Sequence, residues 1–177
     1  MVDFENFNFK FESIVNSPEW KKLEKLFKQK KTIFMFGNGG NMGVTDHAAV
    51  DMSRLTDKNV LCPGSGVTAT SIIGDNSFDV WFKVWLEQRF RTIDLSDVLV
   101  IGFSCSTNSD SSKSIMNALD FAVENNVATA LIAAQPKDDI NPEIVFINED
   151  TIYYHTSEVL SLALTYQLIH CAGFQCP

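Results

Sequence analysis

The feature that most constrains the fold is a short apolar segment that ends in a glycine-rich turn. Thr32–Phe36 is apolar, residues 37–41 read Gly-Asn-Gly-Gly-Asn, and a helix-compatible segment continues to about residue 55. A strand, a glycine turn and a helix N-terminus in this order form an anion site from backbone N–H groups in α/β proteins. The turn therefore predicts a phosphate site, although similar turns also occur where nothing binds. It lacks the lysine of a P-loop and the G-x-G-x-x-G pattern, so we expect no nucleotide cofactor.

Apolar segments and amphipathic segments alternate along the chain. The pattern over residues 3–28 predicts a helix that is divided at Pro18, with Ser17 as the cap of its second part. Further strands are predicted at 67–73, 97–103, 127–133, about 144–147 and about 151–154, and further helices at 78–90, 113–125 and about 156–171. This alternation predicts a parallel sheet that helices cover on both faces. Ligands of such sheets bind beyond the carboxyl ends of the strands, where the strand order reverses.

Composition narrows the class of protein. The 177 residues are most simply one domain, and the formal net charge of −8 argues against a nucleic-acid-binding surface. The N-terminus is acidic and no run of about 18 apolar residues occurs, so we expect neither a signal peptide nor a membrane span. The four cysteines form no C-x-x-C pair, which favours reduced thiols and a cytoplasmic location.

A second polar loop follows another apolar segment. Residues 104–112 read Ser-Cys-Ser-Thr-Asn-Ser-Asp-Ser-Ser and come directly after Val98–Phe103. The hydroxyl groups, with the free amides of the next helix, would bind a phosphate without any cation. The simpler alternative is a serine-rich loop that caps this helix. Its position after a buried strand favours ligand binding.

Taken in order, these motifs resemble the sugar isomerase (SIS) domain family, and within it the bacterial phosphoheptose isomerases. Residues 36–41 are similar to the family's Gly-Asn-Gly-Gly-Ser turn, and His47 with Asp51 to its His-x-x-x-Glu pair. Residues 74–82 look like its Asn-Asp-x-Gly-Tyr/Phe segment, and residues 104–109 look like its Ser-Thr-Ser-Gly-Asn-Ser phosphate loop. The resemblance covers nearly the whole chain.

The resemblance implies a fold, an assembly and a ligand. The family fold is a three-layer α-β-α sandwich around a parallel five-stranded sheet, here with an additional N-terminal helical segment at residues 1–30. Members form homotetramers that share active sites between subunits, so we expect a tetramer, with a dimer as the alternative, and a role for residues 1–30 in its packing. Asp75 would lie near the sugar hydroxyls. The resemblance assigns the binding of a phosphorylated sugar to Ser104, Ser106 and Ser109, with help from Asn38, Gly39 and Asn41.

The catalytic pattern of the family is altered in this chain. Glu158 stands where the family has a glutamine on its last helix, and Tyr166 stands where it has a histidine eight residues later. His155 replaces a nearby Asp, and an alternative alignment would bring His170 into the pattern. The interpretation makes Asp51, Glu158 and Tyr166 catalytic. Asp51 or Glu158 would be the base, and Tyr166, His155 or a metal-bound water would be the acid.

The early pair also suggests a metal. The i, i+4 spacing of His47 and Asp51 puts both on one helix face, which suits zinc. We therefore expect a zinc site formed by His47, Asp51 and Glu158. The alternative is an exposed ion pair or a helix cap.

Several functions remain open from the sequence. The first is isomerisation of sedoheptulose 7-phosphate to D-glycero-D-manno-heptose 7-phosphate in heptose synthesis for lipopolysaccharide or capsule. The second is a non-catalytic protein that binds a phosphosugar or associates with a replication initiator, which the altered last helix favours. The third is an isomerase of a pentose or hexose phosphate.

Overall fold

The computed structural model describes residues 6–64, 66–135 and 140–175. Within them, five strands alternate with helices, and two short 3₁₀ turns lie at 78–80 and 95–97. The elements are α1 (Phe7–Val15), α2 (Pro18–Gln29), β1 (Thr32–Gly37), α3 (Gly40–Leu55), β2 (Asn59–Leu61), α4 (Gly66–Asp75), α5 (Trp81–Phe90), β3 (Val98–Ser104), α6 (Asp110–Glu124), β4 (Ala128–Ala133), β5 (Val145–Asn148) and α7 (Tyr154–Cys171).

The sheet is parallel throughout, and its strand order is β2-β1-β3-β4-β5. The chain runs outward from β1 to β2 and then returns to the other side of β1 with β3. The order therefore reverses between β1 and β3, where Gly37 pairs with Phe103. This register brings the two strand ends together, so the polar residues that follow them become neighbours.

Helices cover both faces of the sheet and create two apolar cores. On one face Trp20, Phe27 and Leu164 belong to a fully buried cluster formed by α1, α2, α3 and α7. On the other face Trp85 packs edge-on against Phe34 at a centroid distance of 5.3 Å, within a cluster formed by α4, α5 and α6. The predicted three-layer α/β architecture is confirmed. Among the described residues, no helix is long and apolar enough to cross a bilayer.

The N-terminal helical segment divides as the sequence predicts. α1 ends at Val15 and α2 begins at Pro18, whose preceding Ser17 accepts a hydrogen bond from the Trp20 amide at 3.1 Å. Residues 3–5 of the predicted helix lie outside the described residues.

Two predicted strands are wrong. The β-branched run 67–73 lies within helix α4, because Ala69, Ile72 and Ile73 recur at helical spacing and pack on the core that contains Trp85. The strand that pairs with the outer edge of β1 is instead β2, at 59–61, a segment for which the sequence predicted no strand. The second wrong strand is the one predicted at about 151–154. The Thr151 amide donates one sheet-like hydrogen bond to the Ala134 carbonyl oxygen, and α7 already begins at Tyr154.

Candidate functional site

A cavity of about 240 Å³ lies beyond the carboxyl ends of β1 and β3, at the reversal of strand order. This is the position at which open parallel sheets bind ligands. Three parts of the chain form its wall, namely the glycine turn, the loop after β3 and the first turns of α7. The residues that line the cavity include Asn38, Gly39, Gly40, Asn41, Ser104, Cys105, Ser106, Ser109, Tyr154 and Glu158.

Hydrogen bonds join the glycine turn to the loop after β3. The Asn38 amide nitrogen donates to the Ser111 carbonyl oxygen at 2.6 Å and to the Ser114 hydroxyl at 2.9 Å. Asn41 is 2% exposed, and its amide nitrogen donates to the Cys105 sulphur at 3.3 Å. The Asn41 Oδ1 atom has no hydrogen-bond partner among the described residues. A buried acceptor without a partner is costly to the folded state.

The three predicted phosphate-binding serines lie together in the cavity wall. Ser104 is buried and its hydroxyl donates to the Ser106 carbonyl oxygen. The Ser106 hydroxyl accepts from the Asn108 amide at 3.2 Å, and Ser109 shares a 2.8 Å hydrogen bond with the Ser111 hydroxyl. Each hydroxyl is therefore held in position by its own loop.

Two helix N-termini point to this cavity. α3 begins at Gly40 after Gly39, which takes φ = +60°, a conformation that favours glycine. α6 begins at Asp110 with Ser109 as its N-cap residue. No Lys or Arg of the described chain lines the cavity. The positive ends of the helix dipoles and the hydroxyl groups are therefore the groups available to an anion.

The carboxylate of Glu158 lies against the N-terminus of α3. A methyl group added at Gly40 would overlap the Glu158 carboxylate, so a larger residue at this position would displace that carboxylate. Glu158 is half-buried and faces the cavity. It is the carboxylate within the cavity that is placed to take a proton from a bound ligand.

The other residues of the predicted catalytic set form a separate group, which we name the His47 cluster: His47, Asp51 and Tyr166. The Tyr166 hydroxyl donates to Asp51 at 2.6 Å and lies 2.9 Å from the His47 Nε2 atom. Asp51 also lies 3.4 Å from His47 and 3.9 Å from Arg54. The cluster joins α3 to α7, and its residues are not among those that line the cavity.

The predicted zinc site is not assembled. Among the described residues, no group of three or more His, Cys, Asp and Glu side chains is arranged to hold a metal ion. Glu158 lies against Gly40, and seven residues of helix, about 10 Å, separate Gly40 from His47. The Tyr166 hydroxyl, not a third metal ligand, bridges His47 and Asp51. The arrangement of these residues in one chain does not fit zinc.

Three further residues that the sequence singled out lie away from the cavity wall. Asp75 is the exposed last residue of α4. His155 is half-buried beside the rings of Tyr153 and Tyr154, and His170 is exposed in the last turn of α7.

Sequence reasoning missed three residues of this region. Gly40 contacts Glu158, and Cys105 and Tyr154 line the cavity. Cys105 and Gly40 fall inside the two polar loops, so their positions were available in the sequence. The contacts of Cys105 and Gly40 with α7 could not be predicted from the sequence, because these contacts depend on how α7 packs on α3.

The comparisons with known proteins identify the fold. The chain superposes on a phosphoheptose isomerase from Neisseria gonorrhoeae with a TM-score of 0.74 and 20% identity, over 95% of this chain and 91% of that one. A phosphoheptose isomerase from Francisella tularensis gives 0.67 and 12%, over 98% and 99% of the two chains. The chain has the sugar isomerase (SIS) fold. At these identities the sugar isomerase likeness establishes the fold alone.

The sugar isomerase fold also occurs in a protein of another kind. The NanR protein of Vibrio vulnificus, in complex with ManNAc-6P, matches with a TM-score of 0.58 and 14% identity, over 86% of this chain and 52% of that one. No protein-family model matches the sequence, and no curated protein matches it.

Proposed function

We propose that this protein is a ketose–aldose isomerase that converts sedoheptulose 7-phosphate to D-glycero-D-manno-heptose 7-phosphate, a step in heptose synthesis for lipopolysaccharide or capsule. Fold likeness to phosphoheptose isomerases supports a phosphorylated sugar as ligand. In this proposal the sugar phosphate contacts Ser104, Ser106 and Ser109, and the family's tetramer, or a dimer, is the assembly.

The observation that carries the proposal is the position of Glu158. Its carboxylate faces the same cavity as the N-termini of α3 and α6. A sugar whose phosphate accepts hydrogen bonds from the loop after β3 would extend towards this carboxylate. Isomerisation requires a base that removes a proton from the carbon next to the carbonyl group and returns it to the neighbouring carbon. Glu158 has this role in the proposal.

The test is incubation of the purified protein with sedoheptulose 7-phosphate in D₂O. We expect formation of the aldose and incorporation of solvent deuterium at C2, both followed by NMR. Sedoheptulose without its phosphate serves as the control substrate and should react far more slowly. Absence of both product and deuterium incorporation, with and without added divalent metal, would contradict the proposal.

A second candidate is a non-catalytic phosphosugar sensor. The likeness to NanR in complex with a sugar phosphate favours it, as does the tyrosine that replaces the family's histidine at position 166. A sensor would gain thermal stability from sedoheptulose 7-phosphate or another sugar phosphate without turning it over. The same D₂O experiment, run beside a thermal shift assay, separates the two candidates.

A further inference from the structure

A fully buried carboxyl group joins the end of the sheet to α7. Glu149 directly follows β5 and is 0% exposed. The hydroxyl groups of Ser157 and Ser161, which lie one turn apart on α7, each donate a hydrogen bond to one of its carboxyl oxygens, the second at 2.7 Å. Both serines are themselves buried. One side chain therefore contacts two successive turns of the same helix.

The backbone around Glu149 is hydrogen-bonded to the end of β4. The Glu149 amide donates to the Ala133 carbonyl oxygen at 2.9 Å, and the Thr151 amide donates to the Ala134 carbonyl oxygen at 3.1 Å. Because these two hydrogen bonds fix the backbone on the sheet, the side chain of Glu149 is a fixed point of attachment for α7. The carboxyl group thus links the carboxyl edge of the sheet to the first two turns of this helix.

These two turns carry the part of α7 that faces the cavity. Tyr154 and Glu158 line the cavity, and Glu158 directly follows Ser157 in the sequence. Further along the helix, Leu164 is buried in the apolar core, which fixes the rest of α7 without any contribution from Glu149. Loss of the hydrogen bonds to Glu149 should therefore move Glu158 without unfolding the protein.

The carboxyl group has no compensating charge in the described part of the chain, because none of the ion pairs there includes Glu149. On α7 the groups that face it are the two uncharged hydroxyl groups. From the loop after β3, the thiol of Cys105 interacts with it, and burial raises the pKa of that thiol, so it is uncharged near neutral pH. Lys10 on α1 contacts the next residue instead, where it donates to the Asp150 carbonyl oxygen.

Burial therefore favours the neutral form of this carboxyl group. It raises the pKa of Glu149 from the ordinary value of 4.5 to about 8, because the two hydroxyl groups compensate for only part of the lost hydration. A neutral carboxyl group can donate its proton to one serine and accept from the other, so both hydrogen bonds persist in this form. An ionised group needs hydration, which it gains when the first turns of α7 move away from it.

We propose that Glu149 is a pH-dependent positioning residue: its neutral carboxyl group holds the first two turns of α7 where Glu158 faces the ligand, and its ionisation releases them. This role rests on the proposed isomerase function, in which Glu158 is the base. Glu149 does not touch the ligand, so its effect is on kcat through Glu158, whereas the phosphate still binds at the loop after β3. No proton passes between Glu149 and the ligand.

Three variants separate the position of α7 from the charge of Glu149. Glu149→Gln keeps the shape of the side chain and can hydrogen-bond both hydroxyl groups, but it does not ionise. The double variant Ser157→Ala with Ser161→Ala removes both hydroxyl groups and keeps the carboxyl group. Thr165→Val is the matched control on α7, because the buried Thr165 hydroxyl donates to the Leu162 carbonyl oxygen of the same helix at 2.7 Å.

The first test measures kcat and KM for sedoheptulose 7-phosphate from pH 5 to 9. An ionisation at about pH 8 leaves about a tenth of the molecules neutral at pH 9, so wild-type kcat should fall about tenfold above pH 7. Glu149→Gln should match the wild-type kcat within about threefold at pH 7 and should lack this fall. The double serine variant should have a kcat lowered on the order of tenfold at pH 7 with KM unchanged within about twofold, and Thr165→Val should keep the wild-type profile.

Two outcomes of this test would overturn the positioning role while the isomerase function stands. One is a wild-type kcat that stays level up to pH 9, and the other is the same fall in Glu149→Gln as in the wild type. A wild type that turns over no sugar phosphate would contradict the isomerase function instead, and hydrogen exchange then decides the role of Glu149.

Hydrogen exchange gives a readout that needs no turnover. Peptides that cover the first turns of α7 are compared between the wild type and Glu149→Gln at the same pH, so that the intrinsic exchange rates cancel. At pH 9 this segment should exchange on the order of tenfold faster in the wild type, whereas the two proteins should be equal at pH 6. Peptides from α5 should exchange equally in both proteins at either pH. Equal rates for the α7 segment at pH 9 would overturn the positioning role, with or without isomerase activity.

Discussion

The cavity and the His47 cluster both involve residues of α3 and α7, but their hydrogen bonding differs. In the cavity wall, Asn41 has a buried acceptor that pairs with no described residue. In the cluster, Tyr166 bonds both Asp51 and His47, so the polar groups bond one another. We expect a ligand to bind in the cavity, where the glycine turn, the loop after β3 and Glu158 meet, whereas the cluster joins α7 to α3.

The largest effect that this comparison predicts is the loss of activity in Glu158→Gln. The amide cannot accept the carbon-bound proton, so kcat should fall by about 10³-fold or more with little change in the thermal midpoint. Isomerase assays and thermal unfolding measure the two quantities. Glu124→Gln, an exposed position on α6, is the control and should retain wild-type kcat. Similar activity in both variants would remove Glu158 from the mechanism.

The next effect concerns the contact between the two helices at the cavity. Gly40→Ala introduces a methyl group that overlaps the Glu158 carboxylate and must displace it, so kcat should fall on the order of 100-fold. Gly43→Ala is the matched control on the same helix, because its added methyl group meets nothing within 4 Å beyond the local backbone of α3. Alanine there should keep the activity and stabilise α3 slightly. Equal kcat values in the two variants would show that the position of Glu158 does not matter.

A smaller effect should follow from removal of single hydroxyl groups in the loop after β3. Ser106→Ala and Ser109→Ala each remove a candidate hydrogen bond to the phosphate, and KM should rise about tenfold for a loss of about 1.5 kcal/mol. The control is Ser71→Ala, an exposed position on α4. Initial rates over a range of substrate concentration give KM. If the phosphate binds at another place in the protein, KM should be unchanged in all three variants.

The smallest effect on activity is expected at the His47 cluster. Tyr166→Phe removes the hydroxyl that joins His47 to Asp51, which should cost about 1 kcal/mol of unfolding free energy and change kcat by less than threefold. Urea unfolding and isomerase assays measure both, with the exposed Tyr153→Phe as control. A large loss of kcat in Tyr166→Phe would place the chemistry at the cluster, as the sequence interpretation had it.

Much of the fold could be predicted from the sequence, because apolar segments and amphipathic segments alternate clearly. The run 67–73 was misassigned since its β-branched residues favour a strand in isolation, while burial of Ile72 on the core selects a helix. The sequence did not predict β2, because this strand has three residues and only one of them is buried.

The loops of the candidate site could be predicted from the sequence, but the residues of α7 that contact these loops could not. The position of the serine-rich loop after a buried strand pointed to ligand binding, and the family resemblance selected Ser104, Ser106 and Ser109 within it. Glu158 is separated from Asp51 and Tyr166 because of the position along α3 at which α7 packs. No local sequence pattern determines this position.

The measurement that tests the central claim most directly is a crystal structure of the Glu158→Gln variant with sedoheptulose 7-phosphate. The account predicts the phosphate at the loop after β3, within hydrogen-bonding distance of Ser106 and Ser109, and the carbonyl end of the sugar between residue 158 and Cys105. A sugar phosphate bound instead at His47, Asp51 and Tyr166 would contradict it.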